Sequence, residues 1–183
     1  MKTIKSSLYL IIWVLMIATG YGQGQGTPDE MAIHQIVQDM QDGWNTKSGE
    51  KFASHFAADH SYVVWNGLYM AHADPVTNAQ IHQGLFYGVY KSMYLNMKVD
   101  NIRFVKPDVA MVHVLLNTWE GDEKAPNFPT HLITMLMVKN GNIWEITSFH
   151  NLNIEYVELL RKAEPAAEEI AAFSKENYPR WYK

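Results

Sequence analysis

Eight histidines stand at positions 34, 55, 60, 72, 82, 113, 131 and 150 of the 183-residue chain, which has no cysteine. They form no His-x-His, His-x-x-x-His or His-Glu-x-x-His pattern, so the sequence predicts no metal site. No Gly-x-Ser-x-Gly elbow, phosphate-binding loop or dinucleotide glycine fingerprint occurs either, and no cofactor is expected. The chemistry left to this chain is proton transfer by imidazole, whose ordinary pKa lies near neutrality.

Three histidines sit where such chemistry can be placed. "NIWEITSFHN" (142–151) starts as an apolar strand and ends on an aromatic, an imidazole and an amide. Strict alternation puts Trp144, Ile146, Ser148 and His150 on one face and Glu145, Thr147, Phe149 and Asn151 on the other, which would aim His150 at the core side near the rim of a pocket. The alternative is a structural His150 bonded to a backbone carbonyl, with Asn151 ending the strand. His113 stands among apolar residues in "AMVHVLLNTW" and shares a face with Asn117 and Trp119; an imidazole there needs a partner, which a satisfied core histidine also has. His82 lies one helical turn before Phe86, on the face a helix over a pocket would present. Tyr62, Val64 and Asn66 alternate on one strand face, with Asn66 either a polar anchor for a ligand or a turn residue. His150, His113 and His82 are thus the candidate catalytic residues, and Tyr62, Asn66, Phe86, Trp119 and Asn151 the candidate ligand contacts.

The elements that must position them follow from periodicity. Ile33, Ile36, Val37, Met40 and Trp44 recur at helical spacing after Asp29, a candidate cap. "TKSGEKFASHF" reads as a shorter second helix starting at Ser48, with Phe52 and Phe56 one turn apart. Tyr62 to Trp65 read as a strand closed by Asn66-Gly67. Asp74-Pro75 opens a third helix. Four strand-like segments follow, the last two joined by Asn140-Gly141, a strong hairpin signal that calls for positive φ at both central residues. The second and third of them are apolar at nearly every position, as in strands covered on both faces. Helices followed by a run of antiparallel strands predict an α+β domain: about three helices of the N-terminal half on a strongly bent, mainly antiparallel sheet, leaving a cone with a mouth. Helical pattern resumes as a C-terminal tail.

The chain begins with Lys2 and Lys5, an apolar run from Leu8 to Ala18 and a small-residue stretch, the pattern of a secretory signal peptide over 1–22. The retained-anchor alternative is a membrane-tethered N-terminus. A flexible lead over 23–28, a domain over 29–154 and a helical extension over 155–183 complete the expected organisation. The expected location is periplasmic or secreted, with no membrane contact after cleavage. Net charge is -4 and no Lys/Arg cluster occurs, which argues against nucleic acid. The two apolar strands predict a homodimer through the outer sheet face.

Four pieces in order, "GWNTKSGEKFASHFAADHSYVVWNG", "AQIHQGLF", "IRFVKPDVAMVH" and "KNGNIWEITSFHN", resemble the nuclear transport factor 2-like (cystatin-like) superfamily, and within it the SgcJ/EcaC and SnoaL-like proteins, over residues 30–153. The resemblance implies a cone-shaped fold with a pocket. The superfamily includes ketosteroid isomerase, scytalone dehydratase, polyketide cyclases, epoxide hydrolases and non-catalytic binding domains, so fold alone does not carry function. The isomerase-like carboxylate position falls at about Val64, beside Trp65 and Asn66, so this chain departs from that chemistry. The "GLYMAHADP" stretch departs as well. Two expectations stay open: a cofactor-independent acid–base enzyme (isomerase, dehydratase or cyclase) acting on a small hydrophobic molecule, or a non-catalytic ligand-binding or dimerisation module.

Overall fold

The computed structural model describes residues 26–154, Tyr156, Leu159 and 166–183. The expected signal peptide, the first half of the flexible lead (23–25) and most of 155–165 lie outside the described residues.

Helix α1 runs Pro28–Asn45. Its cap is Thr27 rather than Asp29: the Glu30 N–H donates to Thr27 Oγ1 at 3.2 Å and the Thr27 N–H to Glu30 Oε2 at 2.7 Å, a reciprocal capping box. Asp29 is freed for a tertiary role. It accepts from Trp144 Nε1 at 2.9 Å and pairs with Lys139 Nζ at 2.6 Å, tying the helix start to the last hairpin. The buried stripe Ile33, Ile36, Val37 and Met40 has the expected spacing. Helix α2 is only Gly49–Ala53, capped by Ser48. Phe52 is in it, but Phe56 opens a strand, so the expected helical pairing of those two rings is replaced by packing across the junction at 6.3 Å. A Cβ on Gly43 would collide with the backbone of Phe52, and one on Gly49 with the carbonyl of Ala79; these glycines let α1, α2 and α3 approach closely. Helix α3, Pro75–Tyr87, starts on Asp74, whose Oδ1 accepts from the N–H groups of Val76 and Thr77 at 2.9 and 3.0 Å.

The strands are β1 (Phe56–Val63), β2 (Tyr69–Ala73), β3 (Met93–Lys106), β4 (Val109–Glu120), β5 (His131–Asn140) and β6 (Ile143–Asn153). They form one curled, unclosed sheet in the order β2-β1-β6-β5-β4-β3, antiparallel except where β1 meets β6. The β2 strand was not foreseen: "GLYMAHA" pairs back on β1 through the Asn66-Gly67 turn, where Gly67 has φ +86°. In the β5–β6 hairpin Asn140 pairs with Ile143, so the two loop residues are Gly141 and Asn142, and only Gly141 takes positive φ. That is the signature of a II′-type turn, one residue later than the Asn-Gly placement expected from sequence.

One irregularity in β6 governs which side chains meet the core. Leu136 pairs with Ser148 but Met137 pairs with Ile146, so Thr147 is an extra residue, a β-bulge. Its hydroxyl donates to the Leu136 carbonyl at 3.0 Å. Before it, Trp144 and Ile146 are buried; after it, the buried residue is Phe149, and His150 is exposed.

Strand β3 is an edge strand whose outward N–H and C=O groups face α1. Leu95 N–H donates to Asn45 Oδ1 at 3.0 Å, Asn45 Nδ2 donates to the Leu95 carbonyl at 2.9 Å, Met97 N–H donates to Gln41 Oε1 at 2.6 Å, and Trp44 Nε1 and Lys47 Nζ both reach the Met93 carbonyl. An edge that would otherwise invite another strand is therefore occupied by helix side chains. On the outer face the C-terminal segment, helix α4 (Ala167–Asn177) and a 3-10 turn at Pro179–Tyr182, attaches to β3: Lys98 Nζ donates to the Trp181 carbonyl at 2.7 Å and Arg180 pairs with Asp100 at 3.4 Å.

Asn45→Ala removes both bonds to Leu95 and leaves two partly buried backbone groups unpaired. It is expected to lower stability by about 1–3 kcal/mol, read as a lower urea midpoint at unchanged slope; an unchanged midpoint would show that water replaces the amide.

Candidate functional site

A cavity of about 360 Å³ opens between the helices and the concave side of the sheet, near the lower end of the range of small-molecule sites. Its wall is mostly rings and aliphatic chains: Trp44 from α1, Phe52 from α2, Tyr62 from β1, Tyr90 after α3, Leu95 and Met97 from β3, and Phe149 from β6, with Trp65 at the β1–β2 turn. Phe149 stacks on Tyr62 with ring centres 4.6 Å apart. The polar side chains in the lining are those of Thr118, Thr130, His131, Asn151 and Asn153, besides the Tyr62 and Tyr90 hydroxyls and the two indoles.

The expected residues separate into three groups. Tyr62 and Asn151 line the cavity. His82 and Phe86 stand behind its wall: His82 lies 4.1 Å from the Phe52 ring, and Phe86 packs edge-on against Trp44 at 5.2 Å. His150, His113, Trp119 and Asn66 are elsewhere. His113 and His150 both pair with Thr134, one from each side, which places all three on the outer face of the sheet. They do share a face as a pair, but not with the cavity. The reason is the bulge at Thr147, which reverses the alternation that aimed His150 inward, and the phase of β4, whose inward residues are Ala110, Val112, Val114 and Leu116. Trp119 follows His113 onto that outer face, where it stacks on Tyr94 at 6.0 Å. Asn66 is an exposed turn residue, its Oδ1 accepting from the Leu68 N–H at 3.1 Å. The single cavity shared by His150, His113, His82 and Asn66 is not formed.

The histidine that does enter the cavity is His131. It opens β5 in phase with Ile133, Met135 and Met137, the buried face of that strand. This was readable as alternation in "HLITMLM", but a histidine at the first residue of a strand, just after a ten-residue loop, resembles a loop residue. His131 pairs with Leu116 on one side and Asn153 on the other, while Asn151 stands one step further along, opposite Ile133. Directly paired and diagonal neighbours on one face lie within about 4.5–8 Å, so His131, Asn151 and Asn153 make one polar patch in an aromatic cavity. His131 Nδ1 contacts Thr130 Oγ1 at 2.9 Å, leaving Nε2 as the ring nitrogen open to a ligand. Burial holds the His131 pKa below its ordinary value, so the ring is neutral at pH 7. Asn151 Oδ1 is buried and finds no hydrogen-bond partner among the described residues. An acceptor left in this state costs stability unless a ligand group meets it.

Behind the wall runs a buried polar chain. His60 Nδ1 donates to the Ala57 carbonyl at 2.9 Å, Asn78 Nδ2 donates to His60 Nε2 at 3.1 Å, and His82 Nδ1 donates to the Asn78 carbonyl at 3.0 Å. This fixes the His82 tautomer, so its Nε2 presents a lone pair to the Tyr62 hydroxyl at 3.4 Å, a long and weak bond. Burial lowers the His82 pKa to about 4 and pushes that of Tyr62 far upward. Both are neutral at pH 7, with Tyr62 a hydrogen-bond donor rather than an anion. Among the described residues no aspartate or glutamate lines the cavity, and no three His, Cys, Asp or Glu gather closely enough to hold a metal ion.

His82 makes stability pH-dependent in a defined direction. Unfolded, it takes up a proton near pH 6.5; folded, it resists until about pH 4. Its contribution is therefore fully present above pH 6.5 and is lost as pH falls toward 4, up to the order of 3 kcal/mol. Urea titrations at pH 7.5, 6, 5 and 4 are expected to show this decline, and His82→Gln to flatten it; an equal slope in the variant would assign the decline to other groups.

No family model matches this sequence, and no curated protein matches it significantly. Solved structures do. A cystatin-like-fold domain of unknown function from Nostoc punctiforme PCC 73102 aligns with TM-score 0.67 at 23% identity, covering 84% of this chain and 98% of that one. A nuclear transport factor 2-like protein of unknown function from Shewanella oneidensis MR-1 aligns with TM-score 0.56 at 16% identity, covering 68% and 99%. A hexachlorocyclohexane dehydrochlorinase of type 2 aligns with TM-score 0.57 at 11% identity, covering 69% and 86%. Identities this low carry the architecture and not the activity, and what they establish is that this chain has the cystatin-like fold of nuclear transport factor 2-like proteins.

Proposed function

We propose that the chain is an exported small-molecule pocket protein of the SnoaL-like type, related to the SgcJ/EcaC group, that moves a proton on a small hydrophobic substrate without a cofactor. The observation that supports this is the gathering of His131, Asn151 and Asn153 on the concave face of a cavity otherwise walled by rings. Neutral His131 accepts the proton through Nε2. The Tyr62 hydroxyl, only weakly engaged by His82, turns to donate to an oxygen on which charge develops. Asn151 and Asn153 orient the substrate. The rings exclude water and, among the described residues, no Lys, Arg, Asp or Glu lines the wall to serve a charged ligand as counter-ion.

A second reading, binding without turnover, is favoured by the same lining: among the described residues no carboxylate there raises the basicity of His131. Native mass spectrometry of full-chain protein from its own host is expected to show a retained neutral molecule. His131→Asn and Asn151→Ala should each reduce its retention about tenfold, the worth of roughly one buried hydrogen bond. Holding the loaded protein in D₂O then separates the readings: His131-dependent deuterium uptake into the ligand marks acid–base chemistry, and retention without uptake marks a binding module. Protein that carries and binds nothing would defeat both.

We also propose that a second copy covers the part of the outer sheet face left open beside the C-terminal segment. Leu136 and Leu152 are 37% and 52% exposed there, on either side of the His113–Thr134–His150 row. Sedimentation equilibrium at tens of micromolar is expected to give a dimer that Leu136→Asp shifts toward monomer; a monomeric parent chain would refute it.

A further inference from the structure

The C-terminal segment reaches the cavity indirectly. Tyr156 is buried, and its hydroxyl donates to the Pro129 carbonyl. Its ring meets Phe128 edge-on at 6.2 Å on one side, and on the other Phe173 of α4 at 5.9 Å and Tyr178 at 6.5 Å, all near-perpendicular contacts. Burial raises the Tyr156 pKa to about 12, so the phenol stays a donor. Pro129 is two residues before His131, and Thr130, between them, holds the His131 ring through Oγ1. The same loop is gripped from the outer sheet face, where fully buried Asn117 donates Nδ2 to the Pro126 carbonyl. Thr130 is fixed to both neighbouring strands: its N–H donates to the Leu116 carbonyl at 2.8 Å, and its carbonyl accepts from Ile154 at 2.9 Å. Beyond α4, the anchors at Lys98 and Asp100 keep the segment on the sheet.

We infer that the C-terminal segment is a positioning element of the site: through Tyr156 and the aromatic cluster of Phe128, Phe173 and Tyr178 it sets the Pro126–Thr130 loop, and so the place of the His131 imidazole in the cavity. A tail that only covered apolar sheet could rely on aliphatic contacts. Here Tyr156, ahead of α4, makes a directed hydrogen bond to the residue next to the one that holds the imidazole. Tyr156, Phe128 and Phe173 act through His131 and do not themselves line the cavity. The inference rests on the reading of His131 as the polar anchor of the pocket.

The test uses full-length variants. Tyr156→Phe keeps the ring and removes the bond to Pro129; Phe173→Ala loosens the cluster from the α4 side. Two readouts are taken on each: the ¹H–¹⁵N signals of the His131 imidazole, and the affinity for N-phenylnaphthylamine, a neutral fluorescent probe of apolar cavities. Both variants are expected to move the His131 signals and to weaken probe binding by roughly threefold to tenfold, the range for losing one buried hydrogen bond or ring contact. His150→Ala, on the outer face, is expected to move neither. If both variants lower the thermal midpoint yet leave the His131 signals and the affinity as in the parent chain, the segment is only structural and the inference is overturned. If His131→Asn itself leaves probe affinity unchanged, the assignment of the pocket anchor falls, while the His131 signals in Tyr156→Phe still decide the clamp.

Discussion

The bulge at Thr147 is the constraint from which the site follows. A strand of period two has no means of moving a side chain from one face to the other except by an extra residue. Here the extra residue lies between Ile146 and Ser148, so the inward-facing set passes from Trp144 and Ile146 to Phe149 and Asn151. It coincides with the irregular crossing of β6 by β1, where Phe56 pairs with Ile146 but Ser61 with Ser148. Five steps on β1 are matched by two on β6, which is how a sheet bends sharply enough to leave a cavity. The same event brings Phe149 onto Tyr62, turns Asn151 toward His131 and sends His150 to the outer face.

Curvature needs a frame, and α1 supplies it. The edge of β3 is held by Gln41, Trp44, Asn45 and Lys47, and the far end of the helix is held by Asp29 against Trp144 and Lys139. The helix thus spans the mouth of the sheet from edge strand to last hairpin. A helix attached only by apolar contacts could slide along the concave face. Directional bonds at both ends set its position, and with it the position of Trp44 in the cavity wall.

The polar groups behind and within the cavity are spent differently. His60, Asn78 and His82 are linked in sequence, which ties α3 to β1, while Asn78 Oδ1 is left without a partner among the described residues. Asn151 Oδ1 is one of four such buried atoms among the described residues, with Asn78 Oδ1, Asn117 Oδ1 and Ser174 Oγ, and Asn151 is the one of these residues that lines the cavity. Among the described residues the lining carries no formal charge, so an ion there would lose hydration with no described partner to offset it.

Local sequence determined the elements. The helical stripe Ile33 to Met40, the caps at Ser48 and Asp74, the hairpin turn near Gly141 and the strands from β3 to β6 follow from short-range sterics and periodicity, which neighbours in the chain settle among themselves. The α+β class follows from the order of those elements. The cap at Thr27 was missed because Asp29 is an equally good capping residue until Trp144 and Lys139 claim it. The β2 strand was missed because its residues, five between Tyr69 and Ala73, have no apolar alternation of their own and are ordered by pairing with β1. Only the tertiary structure decided which histidine meets the cavity. A bulge at Thr147 costs one unpaired residue and is repaid by contacts from β1 that lie some ninety residues away in sequence, so nothing within "EITSFHN" announces it. His131 and His150 lie at the same end of the β5–β6 pair; the phase of β5 turns the first inward, and one inserted residue in β6 turns the second out.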